Sequence, residues 1–345
     1  MPDVRPSFSL TIGSLETSGD HPRAAPALLA VERDLDVPAD ALRVRLGERA
    51  DVALDDAVRL SLGYDGDEQA VFTGVVVSLQ PGIAGAEVWA LGGLHALLDV
   101  HAGATYQLQS AGAIARDLFS RADVTPGTVD TGPLLPSFAV DGRASAHTHL
   151  QALAERLGFA LYADSRGKGM FHALGGAASL DGLGAVGALA AGAGGGVGGV
   201  GFTYGRDVLA LSVRDAPAPW AAVKVGGESP MSGQGDHTGS WLTVDDGDYR
   251  GSAGSGEPSL LVIDPAARTK DLADRFAAGR LAGANARARE ARLSVGGRPA
   301  LELGDSITIS GHPDPRANGT GYLRGLRHRF GPDTGFLTDL RVTLP

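Results

Sequence analysis

Two stretches decide the reading: LDDAVRLSLGYDGDEQAVFTGVVVSL over Leu54–Leu79, and LGDSITISGHPDPRANGTGYLRGLRHRF over Leu303–Phe330. Each opens with a leucine and an aspartate two residues later. Each continues with alternating apolar positions, the period-two signature of a half-buried strand. A polar turn follows, then a strand carrying a glycine. Leu54, Asp56, Val58 and Leu60 align with Leu303, Asp305, Ile307 and Ile309, and Thr73-Gly74-Val75 with Arg324-Gly325-Leu326. The turns differ by two residues, a change that surface loops tolerate. The alignment predicts one hairpin used twice. It marks Asp56, Gly74, Asp305 and Gly325 as candidate structural or assembly positions, the glycines as sites of a bulge or a close backbone approach.

Outward from the first copy, strands are expected over residues 8–13, 28–35, 41–46, 57–62, 71–79 and 87–91, with Asp65-Gly66 supplying hairpin turn chemistry. So many short strands with turns between them read as a small antiparallel barrel or sandwich. After Leu94 the period changes to that of helices. Ser110 is placed to cap a helix with Ile114, Leu118 and Ala122 on one face. Ser145 caps a second, striped by Leu150, Leu153 and Leu157 and stopped by Gly158. FALYAD and GMFHAL then form a hairpin around SRGKG. Residues 175–201 are Gly/Ala-rich, either a flexible linker or a glycine-lined contact with another subunit. Strands resume at 207–215 and 222–227, and residues 228–262 are polar and turn-rich. Asp264-Pro265 is read as the N-cap and first turn of a helix running to about Ala291. The second hairpin copy follows, and 335–344 closes the chain as a strand.

The chain has 345 residues, enough for two or three domains, and 43% of them are hydrophobic. Cysteine is absent, which removes disulfides, thiolate metal sites and cysteine nucleophiles together. The 51 glycines favour a turn-rich β protein over a helical bundle. A formal net charge of −10 argues against phosphate neutralisation, and so against nucleic-acid binding as the main role. Arg324, Arg327, His328 and Arg329 cluster in one strand and read as a solvated strand face, with a local basic patch or contact with an acidic neighbour as the alternatives. The first residues, MPDVRPSFSL, lack the basic-then-apolar pattern of a signal peptide, and no apolar run is long enough to span a bilayer. The expectation is a protein made in the cytoplasm, without membrane insertion.

No chemistry-bearing constellation stands out. His147 and His149 are two residues apart on a helix, so their side chains diverge and read as a polar helix face. Asp245-Asp246-Gly247-Asp248 lacks the ligand spacing of a calcium loop. The glycines of 194–201 have neither a Walker lysine nor a preceding strand. Glu155 and Asp164 form a carboxylate pair of no special spacing. No catalytic, cofactor-binding or metal-binding residue is assigned, and the expectation is a protein that is not an enzyme.

Four segments in order resemble the baseplate hub proteins of contractile tails, the phage late control protein D family and the N-terminal hub region of type VI secretion spike proteins. They are ATYQLQSAGAIARDLF (104–119), HTHLQALAERLGFALYADSRGKGMFH (147–172), DVLALSVRDAPAPWAAVKVGG (207–227) and GYLRGLRHRFGPDTGFLTDLRVTL (321–344). The resemblance spans about residues 8 to 344. The Gly/Ala run at 175–201 departs from it. The resemblance implies a β-rich α+β fold of two related small β-barrel modules, with an α+β insert and a helical excursion in the second barrel. The expected division is residues 1–99, first barrel; 100–174, insert; 175–201, linker; 202–230 with 291–345, second barrel; and 231–290, polar loop and helix excursion. It also implies a homotrimer whose six modules join a six-fold inner tube to a three-fold spike. A tube-initiator or adaptor role is the alternative, and a tail-associated cell-wall hydrolase a third. With no C-terminal needle in this sequence, the spike is expected to be a separate chain. The other implied partners are the inner tube or tube-initiator protein, other baseplate components and a cargo effector, within a phage tail-like particle.

Overall fold

A computed structural model describes residues 5–19, 26–83, 85–174, 199–227 and 249–344. The calcium-like stretch at 245–248 and most of the Gly/Ala run lie outside the described residues, as does much of the polar region after Gly227.

Alternating patterns become strands where expected, and in the first module the alternate apolar residues face one core. The first module comprises β1 (Pro6–Ile12), β2 (Leu15–Ser18), β3 (Pro26–Asp34), β4 (Ala41–Leu46), β5 (Ala57–Tyr64), β6 (Asp67–Pro81) and β7 (Ala86–Gly92). The short β2 had no sequence signal. Leu10, Ile12, Val31, Leu42, Val44, Val58, Leu60 and Phe72 fill this module's core.

The insert runs through α1 (Ala96–Asp99), β8 (Ala104–Ser110), α2 (Ala111–Arg121), β9 (Pro126–Val129), β10 (Leu134–Val140), α3 (Ala146–Leu157), β11 (Phe159–Ala163) and β12 (Gly169–Ala173). The cap chemistry stands as read. The Ser110 hydroxyl accepts from the Ala113 N–H, and the Ser145 hydroxyl from the Thr148 N–H. Gly158 ends α3 at φ +66°, a left-handed conformation that glycine adopts without Cβ strain.

The chain continues with β13 (Val200–Thr203), β14 (Val208–Asp215), β15 (Ala222–Gly227), β16 (Arg250–Gly254), β17 (Ser259–Asp264), α4 (Lys270–Asn285), β18 (Arg289–Gly296), β19 (Ser306–Ser310), β20 (Gly319–Gly331) and β21 (Gly335–Thr343). Three readings are corrected here. The helix starts at Lys270 with Thr269 as its N-cap, not at Asp264. Asp264 ends β17, and its buried carboxylate is held by Arg156 at 2.6 Å and Arg280 at 2.9 Å, so it does not cap the α4 helix. The helix also stops near Asn285, and β18 begins at Arg289. The polar region holds two strands, β16 and β17, which flank β15 in a three-stranded sheet of their own. Its neighbour α4 shares one apolar core with the insert, through Leu150, Leu153, Val223, Leu272 and Phe276.

Strand pairing shows why the chain contains its hairpin twice. In the first module the lateral order is β1-β5-β6-β7-β4-β3. In the second it is β13-β19-β20-β21-β18-β14. Matched in space, these strands also match in chain order. One difference is direction: β13 runs parallel to β19, whereas β1 is antiparallel to β5. The modules fuse through an antiparallel pairing of β20 with β3, from Gly325–Asp34 to Phe330–Leu29, which makes one 13-stranded sheet.

Candidate assembly interface

The two copies agree at atomic detail around the aspartates. The Asp56 carboxylate accepts from the Ala53 N–H at 2.7 Å, and the Asp305 carboxylate from the Glu302 N–H at 2.9 Å. The preceding residues, Asp55 and Gly304, both have positive φ, +66° and +89°. Asp55 N–H donates to Val76 O and Gly304 N–H to Leu323 O; Val76 N–H donates to Asp56 O and Leu323 N–H to Asp305 O. Each aspartate thus closes a tight turn that aims its strand at the partner strand. Leu54 and Leu303 differ: the first is 59% exposed, the second buried.

The glycine alignment needs correction. In β5–β6, Val58 faces Gly74; in β19–β20, Ile307 faces Gly321. The counterpart of Gly74 is therefore Gly321, and that of Gly325 is Ser78. The reason is visible in the neighbouring strand. A Cβ on Gly74 would collide with the Leu91 carbonyl oxygen, and a Cβ on Gly321 with that of Thr343. Gly325 has another surrounding: its missing side chain leaves room for the Asp34 carboxylate, which pairs across it with Arg341. Each copy then carries a bulge, at Val77 in β6 and at Arg324 in β20, where the register against β7 and β21 shifts by one.

At that second bulge the modules meet, and the joint is polar and buried. Arg33 of β3 is 1% exposed. Its guanidinium donates to Asp40 at 3.1 Å, to Glu302 at 2.7 Å and to the Ala163 carbonyl at 2.7 Å, so one side chain ties both modules to the insert. Burial pushes the Asp40 carboxyl up to about 6 against the pull of Arg33. His328 is buried beside it on β20, with Nδ1 3.0 Å from the Thr338 hydroxyl and Nε2 unpartnered. Burial, then the nearby Arg33 charge, lowers its pKa to about 3, so the ring is neutral. Arg324 is buried too and bonds Asp36 at 2.6 Å. Asp36 also receives Arg287 and Arg341, and these cations with its hydrogen bonds hold it below the ordinary carboxylate range despite burial. The expected solvated Arg/His face is therefore overturned for Arg324 and His328; Arg327 alone of the four is exposed. β20 lies between β21 and β3, and one of its faces points into the core. No sequence pattern distinguishes a buried basic residue from an exposed one when its acidic partners lie some 290 residues away.

The histidines of α3 separate as expected, but His147 is buried rather than on a polar face, and burial lowers its pKa. His149 lies 3.0 Å from the Asp141 carbonyl. Glu155 bonds Gln151 on its own helix, while Asp164 caps the β11–β12 turn through Arg166 and Lys168 N–H. Among the described residues no group of three or more His, Cys, Asp or Glu is placed to hold a metal. Among them too, no helix is long and apolar enough to cross a membrane.

This architecture has known counterparts. A prophage MuSo2 43 kDa tail protein from Shewanella oneidensis superposes with a TM-score of 0.68 at 13% identity, over 98% of each chain. The chain has a phage tail-protein fold. A tail protein from Neisseria meningitidis MC58 gives 0.70 at 14% identity, over 98% of this chain and 96% of its own. An Escherichia coli type VI secretion component, described as structurally similar to the T4 tail proteins gp27 and gp5, gives 0.54 at 12% identity over 97% and 76%. No protein-family model matches the sequence, and no curated protein does. At such identities the likeness is one of fold.

Proposed function

We propose that the chain is the structural hub of a contractile, phage tail-like baseplate. Three copies form a ring of six similar β modules, which joins a six-fold inner tube to a separate three-fold spike. The observation that carries this reading is the duplicated strand order, β1-β5-β6-β7-β4-β3 against β13-β19-β20-β21-β18-β14. A subunit with two like modules presents like surfaces twice per chain, so a three-fold ring offers six near-equivalent sites. The likeness to phage tail proteins and to a type VI secretion component supports the same reading. The hub assembles in the producing cell's cytoplasm with spike, tube or tube-initiator and other baseplate proteins, and carries a cargo effector where one is loaded. Its role is architectural rather than enzymatic.

Light scattering with negative-stain microscopy of the purified chain tests this. A trimer with a three-fold ring supports the hub. A six-fold ring would instead favour a tube-initiator or adaptor, and monomers that degrade cell walls a tail-borne hydrolase.

A further inference from the structure

Each of the matched strands in one module has a counterpart in the other, so the joint inside the chain has a counterpart that the chain does not make with itself. β20 changes partner at its bulge: it pairs with β19 as far as Tyr322, and with β3 from Gly325 to Phe330. Its counterpart β6 pairs with β5 as far as Val75. Beyond that, over Val77–Pro81, no described strand occupies this edge. The counterpart of β3 is β14, whose outer edge ends the sheet.

We propose that the free edge of β6, Val77–Pro81, pairs antiparallel with the free edge of β14 and its extension, Val213–Pro217, in a second copy of this chain. This rests on the ring reading above and names the contact that would close the ring.

The register follows from the duplication. Tyr322 faces Thr343 as Val75 faces Leu91, and Glu290 faces Thr343 as Ala41 faces Leu91. Glu32 faces Ala41 as Arg214 faces Glu290, so Arg214 stands for Glu32. Counting from the bulges, Gln80 stands for Arg327, which faces Glu32. Gln80 is therefore set opposite Arg214, and Leu79 opposite Asp215. The hydrogen bond from Leu35 N–H to Arg324 O fixes the parity. Leu79–Asp215 becomes a hydrogen-bonded pair, and Gln80–Arg214 a pair without backbone bonds between them, whose side chains lie closer. Pro81 and Pro217 occupy the next hydrogen-bonded positions on either side. Each lacks an N–H, so together they bound the pairing to a short segment.

The side chains suit the same occupant. At the inner joint Leu326, Leu29 and Val31 are buried. On the free edges Val77 is 40% exposed and Leu209 67%, while Leu79, Leu211 and Val213 are half-buried. Exposed edges ordinarily carry charges that discourage pairing. On the face that the inner joint covers, these carry Leu79 and Val213, and the one charge there, Asp215, is already paired with Arg289 at 3.1 Å. The two edges are different surfaces of one chain, so the contact is head-to-tail, the kind that closes rings.

The chain has no cysteine, so the contact can be trapped selectively. The full-length double variant Gln80→Cys/Arg214→Cys is oxidised and run without reductant. Covalent dimers and larger species are expected, lost on reduction. An equimolar mixture of the two single variants is expected to stop at the dimer. Gln80→Cys/Ala210→Cys, set off register, is expected to cross-link poorly. All positions are exposed, and melting curves matching the parent establish that the variants fold. Oligomers by light scattering without the 80–214 disulfide overturn this pairing and leave the ring reading standing. Equal trapping by the off-register pair also overturns it. A chain monomeric at every concentration overturns both.

Discussion

His328 and Asp40 make opposite, separable contributions to stability across acidic pH. His328 titrates near 6.5 when unfolded and about 3 when folded. The unfolded chain therefore binds its proton first, and stability falls as pH drops below 6.5. Between pH 7 and pH 4.5 that loss is about 2.5 kcal/mol, taking 1.36 kcal/mol per pKa unit. Asp40 runs the other way. Its carboxyl moves from 3.8 unfolded to about 6 folded, so the folded chain takes the proton first and gains about 2 kcal/mol over the same interval. The pair nearly cancels. His328→Gln retains a hydrogen-bond partner for Thr338 and removes the titration; Asp40→Asn removes the opposing one. Urea unfolding at pH 7 and 4.5 reads the difference, and the pH slope is insensitive to any constant packing cost. Relative to the parent, His328→Gln is expected to become more stable on acidification by about 2.5 kcal/mol and Asp40→Asn less stable by about 2 kcal/mol. Slopes parallel to the parent's in both variants would refute the argument that burial holds one group neutral and the other protonated too readily.

Gly74→Ala and Gly321→Ala should each cost about 1–3 kcal/mol by urea midpoint, since the new Cβ meets a backbone oxygen that cannot swing away. Gly296→Ala, with nothing within reach, is the control and should shift the midpoint by well under about 1 kcal/mol. Asp264→Ala leaves Arg156 and Arg280 without their shared carboxylate and should destabilise by about 3–5 kcal/mol, with faster proteolysis of the α3–α4 region. Ser78→Lys, at an exposed position of the same β6 edge, should leave the monomer's melting temperature unchanged while lowering the oligomer fraction in light scattering, because a charge on a free strand edge opposes pairing.

The helical part of the fold was legible because its signals are local. Ser110, Ser145 and Gly158 satisfy or terminate backbone groups within four residues of themselves, so their roles follow from spacing alone. The hairpin duplication was legible for a related reason: the Asp56 and Asp305 turns are closed by donors three residues away. Its glycine register was not. Which glycine matches Gly74 depends on the carbonyls of Leu91 and Thr343 on a third strand, and a two-strand alignment does not see that strand. Asp264 failed as a cap for a like reason. Asp-Pro is good helix-start chemistry, but two arginines, one of them on α3, compete for the same carboxylate.

The amino-acid pattern by itself determined that this is a β-rich chain with one strand-turn unit used twice, because period-two alternation and cap residues act through near neighbours. Tertiary structure alone decided that β20 leaves β19 for β3 at Arg324, that Arg33 and His328 are buried where those modules fuse, and that no described strand covers the matching edges of β6 and β14. Those facts depend on contacts between residues hundreds of positions apart, where the energetics of burial and charge pairing are set by the assembled sheet and not by any local run of residues.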